Sequence, residues 1–161
     1  MLENAAGNYM TPVIADALSH ATDTLMFWIG DNLLGESAKM FKQLFPDRKA
    51  CIVADRNTLA AAGREVYSAF NADGIEQVQP YIFESPPYAG IESKDVIEDY
   101  LKSSGAVAVA VGAGSINDIC KLASHNTGRQ YMCVATAASV DGYASSGAPM
   151  TIEGFKITVP C

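Results

Sequence analysis

The sequence predicts an α/β fold: a parallel β-sheet with helices on both faces, ending in a β-hairpin. Three observations carry this. Apolar runs of strand length alternate with helix-length segments along most of the chain, and such alternation gives right-handed crossovers and a parallel sheet. Two runs, Lys49 to Ala54 (KACIVA) and Ala106 to Val111 (AVAVAV), are almost continuously apolar, as strands covered on both faces are. The second run delivers two glycines and a serine just where a helix should begin.

In chain order, residues 1–23 read as an N-terminal extension with a helix from Pro12, because proline suits a first turn. Ile14 and Leu18, four apart, share its face. Thr24 to Ile29 (TLMFWI) reads as a strand that Gly30-Asp31-Asn32 breaks. Leu33 to Phe45 reads as a helix, with Leu34, Ala38, Phe41 and Leu44 or Phe45 at the spacing of a buried stripe. Pro46-Asp47 ends it. The KACIVA strand follows. Asn57 is then placed to cap a helix whose inner face is Leu59, Ala62, Val66 and Ala69 or Phe70, and Asp73-Gly74 stops it. Gln77 to Phe83 is a weaker strand. Pro80 removes a ladder donor and assigns that strand to an edge or a bulge. After a loop over Glu84 to Pro87, a helix runs from about Ser93 to Ser103 with Val96, Ile97, Tyr100 and Leu101 pointing in. AVAVAV, a helix and the strand YMCVA complete the alternation. From Gly147 to Val159 the period changes to two, and APMTI and KITV flank Glu153-Gly154 as a hairpin.

The 161 residues are expected to form one domain, 1–161, and bury roughly two-thirds of the unfolded surface. A net charge of −7 argues against a general nucleic-acid or anionic-membrane binder, since both need basic patches. It leaves room for a locally positive pocket. No apolar run approaches the ~20 residues that span a bilayer. The N-terminus, MLENAAGNYM, has neither the basic start nor the apolar stretch of a signal peptide. Cys51, Cys120, Cys133 and Cys161 form no CxxC pair and read as buried reduced thiols. A cytoplasmic location is the expectation.

Open parallel sheets bind ligands beyond the carboxyl ends of their strands. Three polar turns fall there: Asp55-Arg56-Asn57, Gly112 to Asp118, and Thr136 to Ser145. In the second, glycines let backbone N–H groups approach a phosphate, and the helix start adds about half a positive charge. Gly-Ala-Gly is also compatible with a plain tight turn. Asn117 stands where the common dinucleotide fingerprint has its third glycine. Asp118 and Lys121 share a helix face, either as a surface ion pair or with the lysine turned toward something negative. Asp55 suits a ribose diol or a local turn or cap. In Thr136-Ala-Ala-Ser139-Val-Asp141-Gly142, small residues leave space for a flat ring, which two hydroxyls and a carboxylate can orient. His20 and His125 lack metal-ligand spacing, and no histidine nearby completes a hydrolytic triad.

GAGSINDICK followed by TAASVDGYAS resembles the iron-containing alcohol dehydrogenase and dehydroquinate synthase-like superfamily over about residues 24–161. The nearest branch is the glycerol-1-phosphate dehydrogenases, with glycerol dehydrogenases next. The resemblance implies a Rossmann-like N-terminal domain, a helical C-terminal domain, and an active site between them with a divalent metal (zinc, iron or nickel). It implies NAD or NADP as cofactor and a small polyol or polyol phosphate as substrate. Carried over by position, Asp55 would bind the adenosine ribose. Gly112, Gly114, Ser115, Ile116, Asn117 and Asp118 would hold the pyrophosphate. Thr136, Ser139 and Ser145 would contact the nicotinamide side. Asp141, touching the substrate, and Lys121, near the cofactor, would be the catalytic candidates. Ala113 departs from the family's usual third consecutive glycine, narrowing the approach to phosphate.

The family's metal ligands, one aspartate and two histidines, belong to the helical domain, and the sequence reaches Cys161 without them. The expectation is therefore an NAD(P)-binding domain of a dehydrogenase that keeps cofactor binding, lacks turnover by itself, and self-associates or pairs with a helical domain. Two alternatives stay open: a non-catalytic nucleotide-binding or assembly module, and a glycerol dehydrogenase or dehydroquinate synthase-like enzyme. Asp55 favours a free 2′-hydroxyl and Arg56 a 2′-phosphate, so NAD against NADP also stays open.

Overall fold

A computed structural model describes residues 10–161 of the chain. In order, the elements are α1 (Pro12–His20), α2 (Ser37–Leu44), β1 (Ala50–Asp55), α3 (Arg56–Thr58), a π-turn (Leu59–Gly63), α4 (Arg64–Ala72), β2 (Tyr81–Phe83), α5 (Ile91–Ser104), β3 (Val107–Gly112), α6 (Gly114–Asn126), β4 (Met132–Ala135), a 3₁₀ turn (Gly142–Ala144), β5 (Gly147–Ile152) and β6 (Phe155–Pro160). The first four strands form one parallel sheet in the order β2-β1-β3-β4. The last two form an antiparallel hairpin.

Alternation along the central strands sorts the core into two layers. Ala50, Ile52 and Ala54 of β1 and Val107, Val109 and Val111 of β3 face α2 and α4, meeting Phe41, Val66 and Phe70. Cys51, Val53, Ala108 and Ala110 face α5 and α6, meeting Ile97, Leu101, Ile119 and Cys120. The AVAVAV pattern thus puts valines under one helix layer and alanines under the other. Alanine's small side chain lets α5 and α6 settle close to the sheet. β2 lies at the edge, where the proline at position 80 leaves no ladder bond unmade.

The hairpin packs its inner strand on α6. Ala148 and Met150 of β5 are buried against Leu122. Its turn, Glu153-Gly154, has positive φ at both residues, 50° and 82°. That is the handedness a two-residue hairpin turn needs. On β6, Phe155 and Ile157 are exposed, at 73% and 48%.

Several expectations are corrected. Thr24 to Ile29 does not join the sheet. Met26 and Trp28 pack on the core while Leu25 and Ile29 are exposed. Among the described residues the segment has a strand's alternation and no ladder partner, because apolar bulk signals burial and does not by itself specify a neighbouring strand. The helix expected over Leu33 to Phe45 begins at Ser37. Gly35 is a poor helix former, and Leu33 to Glu36 close a turn instead, with the Glu36 N–H donating to the Leu33 carbonyl at 3.0 Å. Val96 is 46% exposed, because the buried stripe of α5 runs through Ile97 and Leu101. Cys51 and Cys120 are buried, but Cys133 and Cys161 are only half-buried. α1 forms as expected, with Thr11 as its cap and Pro12 in its first turn. The remainder of the extension, residues 1–9, lies outside the described residues.

Candidate functional site

The site is set by topology. β2 and β4 lie on opposite sides of the β1–β3 pair, so the chain order reverses between β1 and β3. Crevices of this kind, beyond the carboxyl ends of the strands, are where open α/β sheets take ligands. Val53 pairs with Ala110, and Asp55 and Gly112 each lie two residues further on. All the sequence candidates therefore fall at one edge.

Gly112 ends β3 and is buried. A Cβ at this position would stand 2.7 Å from Cβ and Cδ1 of Ile116. The side chain of Ile116 fills the space a larger residue would need, so the turn into α6 closes only with glycine. Ala113 is the N-cap of α6 and no side chain caps it. The first N–H groups of any α-helix lack intrahelical acceptors, and here those of Gly114, Ser115 and Ile116 point beyond the sheet. The first intrahelical bond is Asn117 N–H to the Ala113 carbonyl, 3.0 Å. Gly114 has only Val140 Cγ1 nearby, 3.7 Å from where its Cβ would be. The arrangement fits a pyrophosphate: N–H donors that no side chain caps, at a helix start.

The second loop closes over this helix start. The Thr136 N–H donates to the Gly112 carbonyl at 3.1 Å, tying the two turns together at their roots. Tyr143 braces the loop from within. Its hydroxyl donates to the Ala137 carbonyl at 3.0 Å and accepts from the Ala137 N–H at 3.3 Å. Thr136 is half-buried, while Ser139, Asp141 and Ser145 are exposed above α6.

The charged candidates divide. Asp55 is 5% exposed and is the N-cap of α3. Its Oδ1 accepts from the Asn57 and Thr58 N–H groups at 2.8 and 2.9 Å, and the Asp55 N–H donates to the Thr58 hydroxyl at 3.0 Å. Asp55, rather than Asn57, is thus the cap, in the reciprocal arrangement of a capping box. Arg56 forms an exposed ion pair with Glu84, across the carboxyl ends of β1 and β2. Asn117 is buried and accepts from the Tyr131 hydroxyl at 2.9 Å. Its amide donates to Asp118 at 3.3 Å. Burial raises the pKa of Asp118, and Lys121 opposes that shift.

Lys121 is also buried, at 6% exposure, and burial lowers its pKa while Asp118 raises it. Its ammonium is taken up by the segment that follows the 136–141 turn. It donates to the carbonyls of Gly142, Ser145 and Gly147 and to the Ser145 hydroxyl, at 2.9 to 3.3 Å. The negative partner expected for it is a set of backbone carbonyl oxygens.

Sequence reasoning missed Tyr143, Tyr131 and Glu84. The Asp55-x-x-Thr58 spacing could have signalled the capping box. Nothing local marks the two tyrosines or Glu84, because their partners are 6, 14 and 28 residues away. Among the described residues, no group of three or more His, Cys, Asp or Glu could hold a metal ion. The donor set required for a divalent metal is not met by these residues.

Comparison with known proteins gives the family and the fold. The family model described as iron-containing alcohol dehydrogenase matches residues 28–161. A glycerol-1-phosphate dehydrogenase [NAD(P)+] of Bacillus velezensis is 34% identical over 138 residues, covering 81% of this chain and 35% of the relative. One from Methanoregula boonei is 34% identical over 129 residues, covering 78% and 34%. The chain thus spans about a third of the length of these relatives. The crystal structure of a probable glycerol dehydrogenase from Sinorhizobium meliloti superposes with a TM-score of 0.64 at 18% identity, covering 80% of this chain and 34% of that one. It shares the fold.

Proposed function

Because the chain belongs to the iron-containing alcohol dehydrogenase family, we propose that it is the NAD(P)-binding part of a polyol-phosphate dehydrogenase of the glycerol-1-phosphate type. The observation that carries this reading is the start of α6, which no side chain caps, set beneath the 136–145 loop at the β1–β3 crevice. The relatives' name supplies the cofactor class and the substrate.

In this reading the N–H groups of Gly114, Ser115 and Ile116 bind the pyrophosphate. Asp55 uses carboxylate capacity beyond its cap bonds to accept from the adenosine ribose. Arg56 already faces Glu84, so a 2′-phosphate would meet a neutralised cation beside two carboxylates, which favours NAD over NADP. Thr136, Ser139 and Ser145 border the nicotinamide. Asp141, exposed at the lip of the loop, orients the polyol hydroxyls. When bound, the nicotinamide supplies or accepts the hydride. No step is assigned to a metal held by the described residues. The apolar side chains exposed on β6 favour a domain that packs on a further surface over a free-standing module.

Thermal unfolding with and without NAD and NADP tests the reading. A ligand at 100 times its dissociation constant stabilises the native state by about 2.7 kcal/mol, a shift of several degrees at this chain length. The expected order is NAD above NADP. A folded sample that neither nucleotide shifts would remove the reading.

A further inference from the structure

Lys121 occupies the centre of an arrangement that the coenzyme contacts do not explain. A buried ammonium is stable only if its donors find acceptors. Here four acceptors surround it, all between Gly142 and Gly147: three backbone carbonyls and the Ser145 hydroxyl. An ammonium has three protons, so every one is engaged with this segment. At its far end the segment enters β5, where Gly147 pairs with Pro160 and the Cys161 N–H donates to the Ser146 carbonyl at 3.5 Å; residues 142–145 have no such strand pairing. Ala144, Ser145 and Ser146 are exposed. The Ser145 N–H and hydroxyl bond back to Gly142 in the same loop, and the hydroxyl also lies against the carbonyl of Gly147 at the start of β5. Tyr143 reaches the backbone of Ala137, in the other half of the loop. Lys121 lies on α6, the helix whose first turn forms the pyrophosphate cradle.

We propose that Lys121 is a positioning residue. It holds segment 142–147 at a fixed height above α6, so that the phosphate end and the nicotinamide end of the coenzyme site keep one geometry, and it does not touch the coenzyme. The proposal rests on the reading that the 136–145 loop borders the nicotinamide. A lysine that bound phosphate directly would present free protons to it, and these protons are engaged by the carbonyls of Gly142, Ser145 and Gly147 and the Ser145 hydroxyl.

The test compares the chain with Lys121→Met and Lys121→Arg by amide hydrogen exchange and by titration with NAD and with ADP-ribose, which lacks the nicotinamide. In Lys121→Met, exchange at residues 142–147 rises about tenfold or more, while β1 and β3 amides stay protected. NAD affinity falls about tenfold and ADP-ribose affinity changes less than about twofold. Lys121→Arg restores part of both. Unchanged loop exchange in folded Lys121→Met overturns the proposal. So does an equal loss of NAD and ADP-ribose affinity, which would mark a phosphate contact. If Lys121→Met does not fold, nitrogen NMR of the unaltered chain decides: a slowly exchanging Lys121 ammonium signal supports the anchor, and its absence overturns it. Failure of the unaltered chain to bind either nucleotide would remove the functional reading but leave the exchange result to decide the anchoring.

Discussion

Gly112→Ala probes the turn on which the site depends. The added methyl carbon would lie 2.7 Å from Cβ and Cδ1 of Ile116 and 3.0 Å from its Cγ2. Favourable carbon contacts lie at about 3.5–4.0 Å, so the gap is short by close to 1 Å. Moving the Cδ1 methyl by a rotamer change relieves one contact. The Cβ is fixed to the helix backbone, so relief there requires the first turn of α6 to shift. Overpacking of this kind costs about 1–3 kcal/mol. At this chain length each kcal/mol lowers Tm by about 2–4 °C. The same shift displaces the N–H groups of Gly114 to Ile116, so NAD affinity falls together with stability. Urea denaturation monitored by circular dichroism, with NAD titration on the same samples, measures both. The urea midpoint moves while the m-value stays constant. Gly35→Ala is the control: nothing lies within 4 Å of its Cβ position, so it leaves stability equal or slightly raised. A Gly112→Ala midpoint and NAD affinity indistinguishable from those of Gly35→Ala would refute the steric reasoning.

Asp55 separates two roles. Asp55→Ala loses the cap, about 1 kcal/mol by urea denaturation, whereas Asp55→Asn keeps most of it because asparagine caps nearly as well; both weaken NAD in a titration, and an Asn variant with undiminished NAD affinity would confine Asp55 to capping. Glu98 gives a pH signature. Hydrogen bonds from Lys102, then Lys94 and Asn126, lower its pKa from 4.5 to about 2. A depressed carboxylate contributes stability above the unfolded pKa and loses it as pH falls through the folded one. The stability gap between the unaltered chain and Glu98→Gln is therefore full at pH 7, shrinks below about 4.5, and closes near 2. A gap that stays constant from pH 7 to pH 3 in urea titrations would contradict this.

Local order made much of this protein legible. In β1 and β3 the continuous apolar runs announced strands buried on both faces, and the period-two change after Gly147 announced the hairpin. The glycines at 112 and 114 marked a backbone turn opening a helix; at 112 no larger residue fits, because Ile116 closes the space. The polar turn from Thr136 was visible because small hydroxylic residues follow an apolar strand. Less legible was Thr24 to Ile29, whose side-chain pattern suggests a strand but which joins neither sheet among the described residues.

The sequence by itself determined the α/β alternation, the two site-bearing turns and the family, since these follow from periodicities and small-residue spacings within about ten residues of each other. Only the tertiary structure decided what the charged residues do. The sequence places Lys121 near the coenzyme turn. The fold brings Gly142, Ser145 and Gly147 over α6, 21 to 26 residues away, and so gives its protons to the loop. Likewise Arg56 meets Glu84 only because β2 pairs beside β1. A charge in the sequence is an unassigned demand for partners, and chain crossings that no local pattern encodes select which partners answer it.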